Sequence, residues 1–244
     1  MNPIPYVGVT GVENAQTVEA ALCGLYEASP DMRARQVKVG VSFRGDNFDG
    51  RDVENIISAA KSDPKLYTVV HYEPKEPTML HENLLRLCEV IGSTVDGVQV
   101  ECDTLPHPKV IDYVRSRSQC VGFVALRVAE ADKVDCKTLV RELRALDGLV
   151  EVLSLDYTRR EMIPLYQTQS LLGTLEANFP SVSIVLTGNV GPGDIPLMWS
   201  LAREHPGISL DTIAGTKMSA KRYHQTGFDP EKVRQYIRRA CETL

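Results

Sequence analysis

The sequence predicts an α/β fold: a single (β/α)8 TIM barrel with eight parallel strands, one domain over residues 1–244. Three observations carry this. Short runs rich in Val, Ile and Leu alternate strictly with longer amphipathic stretches, the pattern of a parallel sheet joined by crossover helices. There are eight of each. The 244 residues suit a fold that commonly takes ~250. An open, doubly wound sheet is the competing architecture. No linker or low-complexity segment divides the chain.

Taken in order, the strand-like runs are YVGVT (6–10), VKVGVSF (37–43), YTVVHYE (67–73), GVQVEC (97–102), VGFVALRV (121–128), VEVLSLDY (150–157), VSIVLTG (182–188) and ISLDTIAG (208–215). They are short and β-branched, as strands buried on both faces are. Helices are expected at 14–28, 52–61, 78–91, 107–117, 136–147, 165–178, 194–204 and 229–243. The last is the clearest. Asp229 can cap it, Pro230 suits its first position, and Glu231 favours the positive end of its dipole. Val233, Ile237, Cys241 and Leu244 then recur on one face. Trp199, within the seventh helix, is expected to pack.

The bulk numbers exclude several classes. A formal net charge of −5, with 43% hydrophobic and 24% charged residues, is that of an ordinary globular protein. No run of Lys or Arg exceeds two residues, so neither nucleic acid nor an anionic membrane is an expected partner. No leader and no membrane span is read, and a cytoplasmic location is expected. The six cysteines are scattered without a C-x-x-C pair and the five histidines are scattered too. Reduced thiols, no metal and no cofactor are the expectation. The protein is expected as a monomer or homodimer.

In a barrel of this kind the site lies at the C-terminal ends of the strands, and those ends are polar. Thr10 closes the first strand. Ser42, Arg44 and Asp46 follow the second; His71 and Glu73 end the third; Gln99, Glu101 and Asp103 end the fourth. Arg127, Asp156, Arg159, Thr187, Asn189, Asp211 and Thr212 stand at the remaining four. Alternation along a strand gives Gln99 and Glu101 one direction, and likewise His71 and Glu73. Carboxylates, an imidazole and guanidinium groups suit acid–base work on an anionic ligand. A polar strand end that merely meets solvent explains any one of them, but less readily Asp156 and Asp211, which follow apolar runs where an unpaired carboxylate is costly.

VSIVLTGNVGPGDI ends in a bare, glycine-rich loop. Loops after the seventh and eighth strands often hold phosphate in barrels. Gly188 and Asn189, with AGTKMS (Gly215, Thr216, Lys217) after the eighth strand, therefore form a candidate cradle that uses backbone N–H groups and a helix dipole. A simple tight turn is the other reading. SFRGDNFDGRD, after the second strand, is read as a polar loop or a lid.

These motifs resemble phosphoribosylanthranilate isomerase, a (β/α)8 enzyme of tryptophan biosynthesis. IVLTGNVGPGDI is similar to its strand-seven motif, ISLDTIAGTK to its strand-eight motif and TGFDPEKVRQYI to the start of its last helix. SLDYT matches the strand-six motif, which places the general acid at Asp156. GVQVEC resembles a strand-four motif, matching Gln99, and VGVTGVENA the strand-one start, matching Gly8 and Thr10. The likeness is firmest over about the last 65 residues. It implies phosphate binding through Gly188, Asn189, Gly215 and Thr216, with Asp211, Gln99 and Arg44 around the substrate. The chain also departs from the family. Val7 stands where the strand-one cysteine acts as general base, Glu101 replaces a strand-four histidine, and Asn189 replaces the second glycine of the strand-seven pair. The glycine-rich loop after the general acid is absent.

Three functional hypotheses follow. The first is an aldose–ketose (Amadori-type) isomerase of a phosphorylated sugar derivative, with Asp156 as acid and Glu101 as base, Cys102 or His71 standing behind Glu101. The second is a sugar-phosphate lyase or another isomerase, with Lys217 or Lys38 as imine-forming candidates. Such a lysine should sit desolvated inside the barrel, and neither a loop position (Lys217) nor one near the start of a strand (Lys38) suggests that. The third is a non-catalytic binder of a phosphorylated ligand.

Overall fold

A computed structural model describes residues 5–12, 14–28, 36–44, 51–73, 80–91, 95–101, 105–117, 123–128, 131–157, 163–212 and 228–243. The strands are β1 (Tyr6–Thr10), β2 (Gln36–Arg44), β3 (Leu66–Glu73), β4 (Gly97–Val100), β5 (Phe123–Val128), β6 (Val152–Tyr157), β7 (Ser183–Gly188) and β8 (Ser209–Thr212). They form one closed barrel in sequence order. Every pairing is parallel, and β8 returns to β1 with Val7 opposite Leu210 and Gly8 opposite Asp211. The competing open sheet is thereby excluded, because the barrel has no edge.

Helices follow each strand: α1 (Ala15–Glu27), α2 (Arg51–Lys61), α3 (Leu80–Ile91), α4 (Pro108–Arg117), α5 (Cys136–Leu143), α6 (Leu165–Asn178), α7 (Ile195–Glu204) and α8 (Pro230–Thr243). Their starts are made by local chemistry. The Asn14 side chain accepts the Thr17 N–H at 3.0 Å, and Asp135 does the same for Thr138. Asp229 accepts from Glu231 at 3.1 Å ahead of Pro230. Each side chain satisfies an N–H that the first helical turn leaves unpaired.

Most boundaries fall within two residues of expectation, and four differences affect the reading of the fold. β4 and β8 are shorter, at four residues each. The fifth helix ends at Leu143 and continues as a single 3-10 turn, Arg144–Leu146. The expected loop after the second strand is narrower, since β2 runs to Arg44 and α2 starts at Arg51; residues 45–50 lie outside the described set. Trp199 does not pack into the core. It is half exposed, with the Arg203 guanidinium 5.2 Å from its ring centroid.

Period-two alternation sorts each strand into two faces. Val7, Val9, Val37, Val39, Leu153, Leu155, Leu186 and Leu210 join the large apolar cluster shared with Val18, Leu25, Leu172 and Ile237 of the helices. Tyr6, Tyr67, Val69, Ala125, Val152 and Val185 form a separate small cluster inside the barrel, which makes its floor. The next inward positions toward the C-terminal end are Gly8, Lys38, Ser154 and Asp211. Above these come Thr10, Gly40, His71, Gln99, Arg127 and Asp156. Among the described residues, no helix is long and apolar enough to cross a membrane.

Candidate active site

The inward polar positions meet in one network at the C-terminal half of the barrel. Lys38 of β2 and Asp211 of β8 lie on either side of β1, and both are fully buried. Lys38 Nζ donates to Asp211 Oδ2 at 2.5 Å, and Thr10 Oγ1 donates to the same oxygen at 2.6 Å. Thr10 Oγ1 also lies 3.3 Å from His71 Nε2. The other nitrogen of that ring, Nδ1, is 2.8 Å from Glu101 Oε1, to which Gln99 Nε2 donates at 3.3 Å. Arg127 closes the chain: Nη1 donates to Glu101 Oε2 at 2.8 Å, Nε donates to Asp156 Oδ2 at 3.0 Å, and Nη2 pairs with that oxygen as well. Beside Asp156, Ser154 and Thr187 share a hydroxyl–hydroxyl hydrogen bond of 2.7 Å.

Two glycines make room for this. A side chain at Gly8 would begin 2.9 Å from Asp211 Oδ1, and one at Gly40 would begin 2.6 Å from Thr10 Oγ1 and 3.0 Å from His71 Nε2. β1 and β2 therefore carry hydrogen atoms where the other strands carry bulk, and the cluster fills the vacated space.

Burial and charge set the protonation states. Burial lowers the His71 pKa from the ordinary 6.5, and the Lys38 charge lowers it further against the opposing pull of Glu101. The ring is thus neutral near pH 7. With Glu101 ionised, Nδ1 carries the proton and gives it to the carboxylate. Burial pushes the Glu101 carboxyl up, but its hydrogen bond to His71, the His71 charge, Arg127 and Lys38 outweigh that and bring it from 4.5 down to about 2. The share owed to a charged His71 is present only in acid. Burial pulls Arg127 down, and Glu101 and Asp156 more than restore it. In the floor, burial and then the Asp211 charge hold the Tyr6 hydroxyl well above its ordinary 10.

The predicted site residues divide into four groups. Asp156, Glu101, Gln99 and Asp211 come together inside the barrel. Asp211 contacts Lys38 and Thr10 there. Gly188 and Asn189 lie at the end of β7; Asn189 is exposed, and the Ile163 side chain stands 3.3 Å from where a Gly188 Cβ would be. In that loop the Gly191 N–H already donates to Asp194 Oδ2 at 2.7 Å. Arg44 pairs in register with Glu73. Gly215, Thr216 and Lys217 lie outside the described residues, as do Cys102, Asp46, Asp103 and Arg159. Val7, at the family's base position, faces the helix layer.

The expectation for Lys38 is corrected. Although it stands near the start of β2, its side chain points inward and its amine lies wholly within the barrel. Inward parity turns the side chain into the barrel, where Gly8, its register partner, separates it from Asp211 without a side chain between them. The gap at Gly40 marks this in the sequence, but only once its parity with Lys38 and its pairing with Thr10 are known. Among the described residues, no group of three or more His, Cys, Asp or Glu could hold a metal.

This architecture defines the class: a closed (β/α)8 barrel with a polar mouth. No family model and no curated protein matches the chain. Solved structures are similar to it in fold. A spore coat polysaccharide biosynthesis protein from Bacillus subtilis aligns over 99% of this chain and 68% of its own, at 12% identity and TM-score 0.60. The YdjI aldolase from Escherichia coli aligns over 98% and 89%, at 12% identity and 0.55. A thiamine phosphate pyrophosphorylase from Pyrococcus furiosus aligns over 98% and 94%, at 11% identity and 0.54. At such identities the likeness is one of fold alone, and one fold serves many chemistries.

Proposed function

We propose that the protein is an acid–base isomerase of a phosphorylated sugar derivative, carrying out an aldose–ketose rearrangement of the Amadori type, in keeping with its resemblance to phosphoribosylanthranilate isomerase. The observation that carries this reading is Arg127, whose single guanidinium joins Glu101 of the β4 end to Asp156 of β6. The rearrangement needs one group to protonate the ring oxygen or imine and another to take a proton from carbon 2. Two carboxylates held one guanidinium apart at a barrel mouth suit that division.

Asp156 is the proton donor in this scheme. An anionic group on the ligand that draws Arg127 away frees the Asp156 carboxyl to give and recover a proton. The acceptor is the Glu101–His71 pair. Glu101, held low by its partners, is a weak base alone. His71, neutral and oriented by Glu101 through Nδ1, is the stronger acceptor and takes over the role from the carboxylate. The network sets two basic side chains, Lys38 and Arg127, among three acidic ones, Glu101, Asp156 and Asp211, which disfavours a phosphate at its centre. The phosphate is assigned instead to the rim at Gly188 and Asn189, where Asp194 must release the Gly191 N–H, with Gly215 and Thr216 added from the sequence resemblance alone.

The test is turnover of phosphoribosylanthranilate and related phosphorylated sugars by Asp156→Asn. General acid–base groups contribute roughly 10²–10⁴-fold, so kcat should fall by at least about 100-fold while the circular dichroism spectrum is unchanged. Activity that survives the substitution overturns the assignment.

A further inference from the structure

We propose that Lys38 is a carbonyl-capturing nucleophile, forming an imine with an aldehyde or ketone ligand that enters the barrel from its C-terminal end. This rests on the function proposed above only in that a carbonyl compound enters the mouth.

Three features of Lys38 go beyond what a structural ion pair needs. Its amine is desolvated inside the barrel, in the polar layer and not in the floor. The inward positions next to it, Gly8 across the β1–β2 register and Gly40 above it on its own strand, carry no side chain of their own, and the space they leave is taken by the polar groups of Asp211, Thr10 and His71. Its roof is therefore a threonine hydroxyl and an imidazole edge, groups that can donate to or accept from a reacting oxygen. Finally, Asp211 binds Lys38 and Thr10 through Oδ2, while buried Oδ1 has no hydrogen-bond partner. A buried acceptor left open is costly for a merely structural carboxylate and useful to one that receives a proton.

The chemistry balances without an added oxidant or reductant. Asp211 takes a proton from the Lys38 ammonium. The amine lone pair then forms the C–N bond as the carbonyl π pair moves to oxygen, and that oxygen takes one of the two protons still on nitrogen, giving a neutral carbinolamine. The proton held by Asp211, relayed through Thr10 or His71, returns to that oxygen. The C–O bond breaks, water leaves and the iminium forms. The net change is ammonium plus carbonyl to iminium plus water. Tyr6, with its hydroxyl 3.5 Å from Nζ and its ring 5.1 Å away, holds the amine from below.

The experiment incubates the full chain separately with glyceraldehyde 3-phosphate, ribose 5-phosphate and unphosphorylated glyceraldehyde, each with sodium cyanoborohydride, and maps the reduced adducts by mass spectrometry. Modification of Lys38 blocks tryptic cleavage after it, so the product is a labelled peptide spanning residues 36–44. The expected result is saturable labelling of Lys38 at least tenfold above any other lysine, lost in Lys38→Arg, which keeps a cation for Asp211. Lys38 labelled no more than the surface lysines by all three probes overturns the proposal, and mapping on the unmodified sequence gives that answer even if the variant does not fold. The two proposals fail separately. Loss of turnover in Asp156→Asn with no Lys38 adduct leaves the isomerase reading and removes this one. Labelling by unphosphorylated glyceraldehyde as strong as by the phosphorylated probes keeps the Lys38 proposal and removes the phosphorylated ligand.

Discussion

Around Val152 and Val185 the inside of the barrel is hydrocarbon; one inward step toward the C-terminal end, about 7 Å further along the strands, it is Ser154 and Thr187, and beside them Asp156. The same strands carry both layers and the backbone pairing is equally regular through each. The difference lies in what folding asks of them. The floor removes apolar surface from water, a gain of about 25 cal/mol per Å². The mouth removes charges from water, which their pairing at best offsets; replacing such a cluster with well-packed hydrocarbon is often neutral or stabilising. Hydrophobic burial explains the floor, and it leaves the mouth to be explained by chemistry.

The sharpest way to break this contrast is to remove one member of the buried pair. Lys38→Met leaves Asp211 charged and without its main partner, and should cost ~3–5 kcal/mol, read from urea midpoints. Lys38→Met with Asp211→Leu should recover most of that loss. A double variant no more stable than the single one would mean the pair is net stabilising and the two layers do not differ as described.

Acid gives the next effect. The lowered His71 pKa means the unfolded chain binds the proton first as pH falls below 6.5, so stability drops from there until the folded ring also protonates. Glu101, depressed from 4.5 to about 2, contributes stability above pH 4.5 that is lost between 4.5 and 2. At 1.36 kcal/mol per unit that is about 3 kcal/mol. Urea midpoints measured from neutral pH to pH 2 should fall in both ranges, and Glu101→Gln should flatten the lower one. In the floor, Val152→Ala should cost about 2 kcal/mol from lost methyl groups and the cavity they leave, with no dependence on pH. Smallest is Asn14→Ala, at the mouth end but outside the network. It removes the α1 cap alone and should cost ~1 kcal/mol of thermal stability without altering the acid profile.

The architecture was legible in the sequence because strand burial writes itself as short β-branched runs and the helices as their amphipathic intervals. Even the ends of α6, residues 165–178, could be read. The polar strand ends were legible one by one. Their partnerships were harder to read. Gln99 and Glu101 share parity within one strand, which sequence shows; Arg127 joining Glu101 to Asp156 depends on the stagger between strands, which it does not. Lys38 is hard to place from sequence because a position near the start of a strand does not show whether the side chain turns inward, and here inward parity buries it. Trp199 departs from its expected packing because an aromatic on a helix can face either way, and here Arg203 lies over its ring.

The Lys38–Asp211 contact spans the place where the barrel closes, joining residues 173 positions apart, and Thr10–Asp211 spans 201. Contacts this distant in the chain form late, because the entropy of closing so long a loop must be met first. On a ribosome, β1 and β2 emerge long before β8, and a seven-stranded intermediate would have to bury Lys38 with no counter-ion. The amine therefore stays in water until the final strand arrives with its carboxylate. Docking of the last strand and desolvation of the amine become a single event, so the charge that equips the mouth also keeps an incomplete chain from closing.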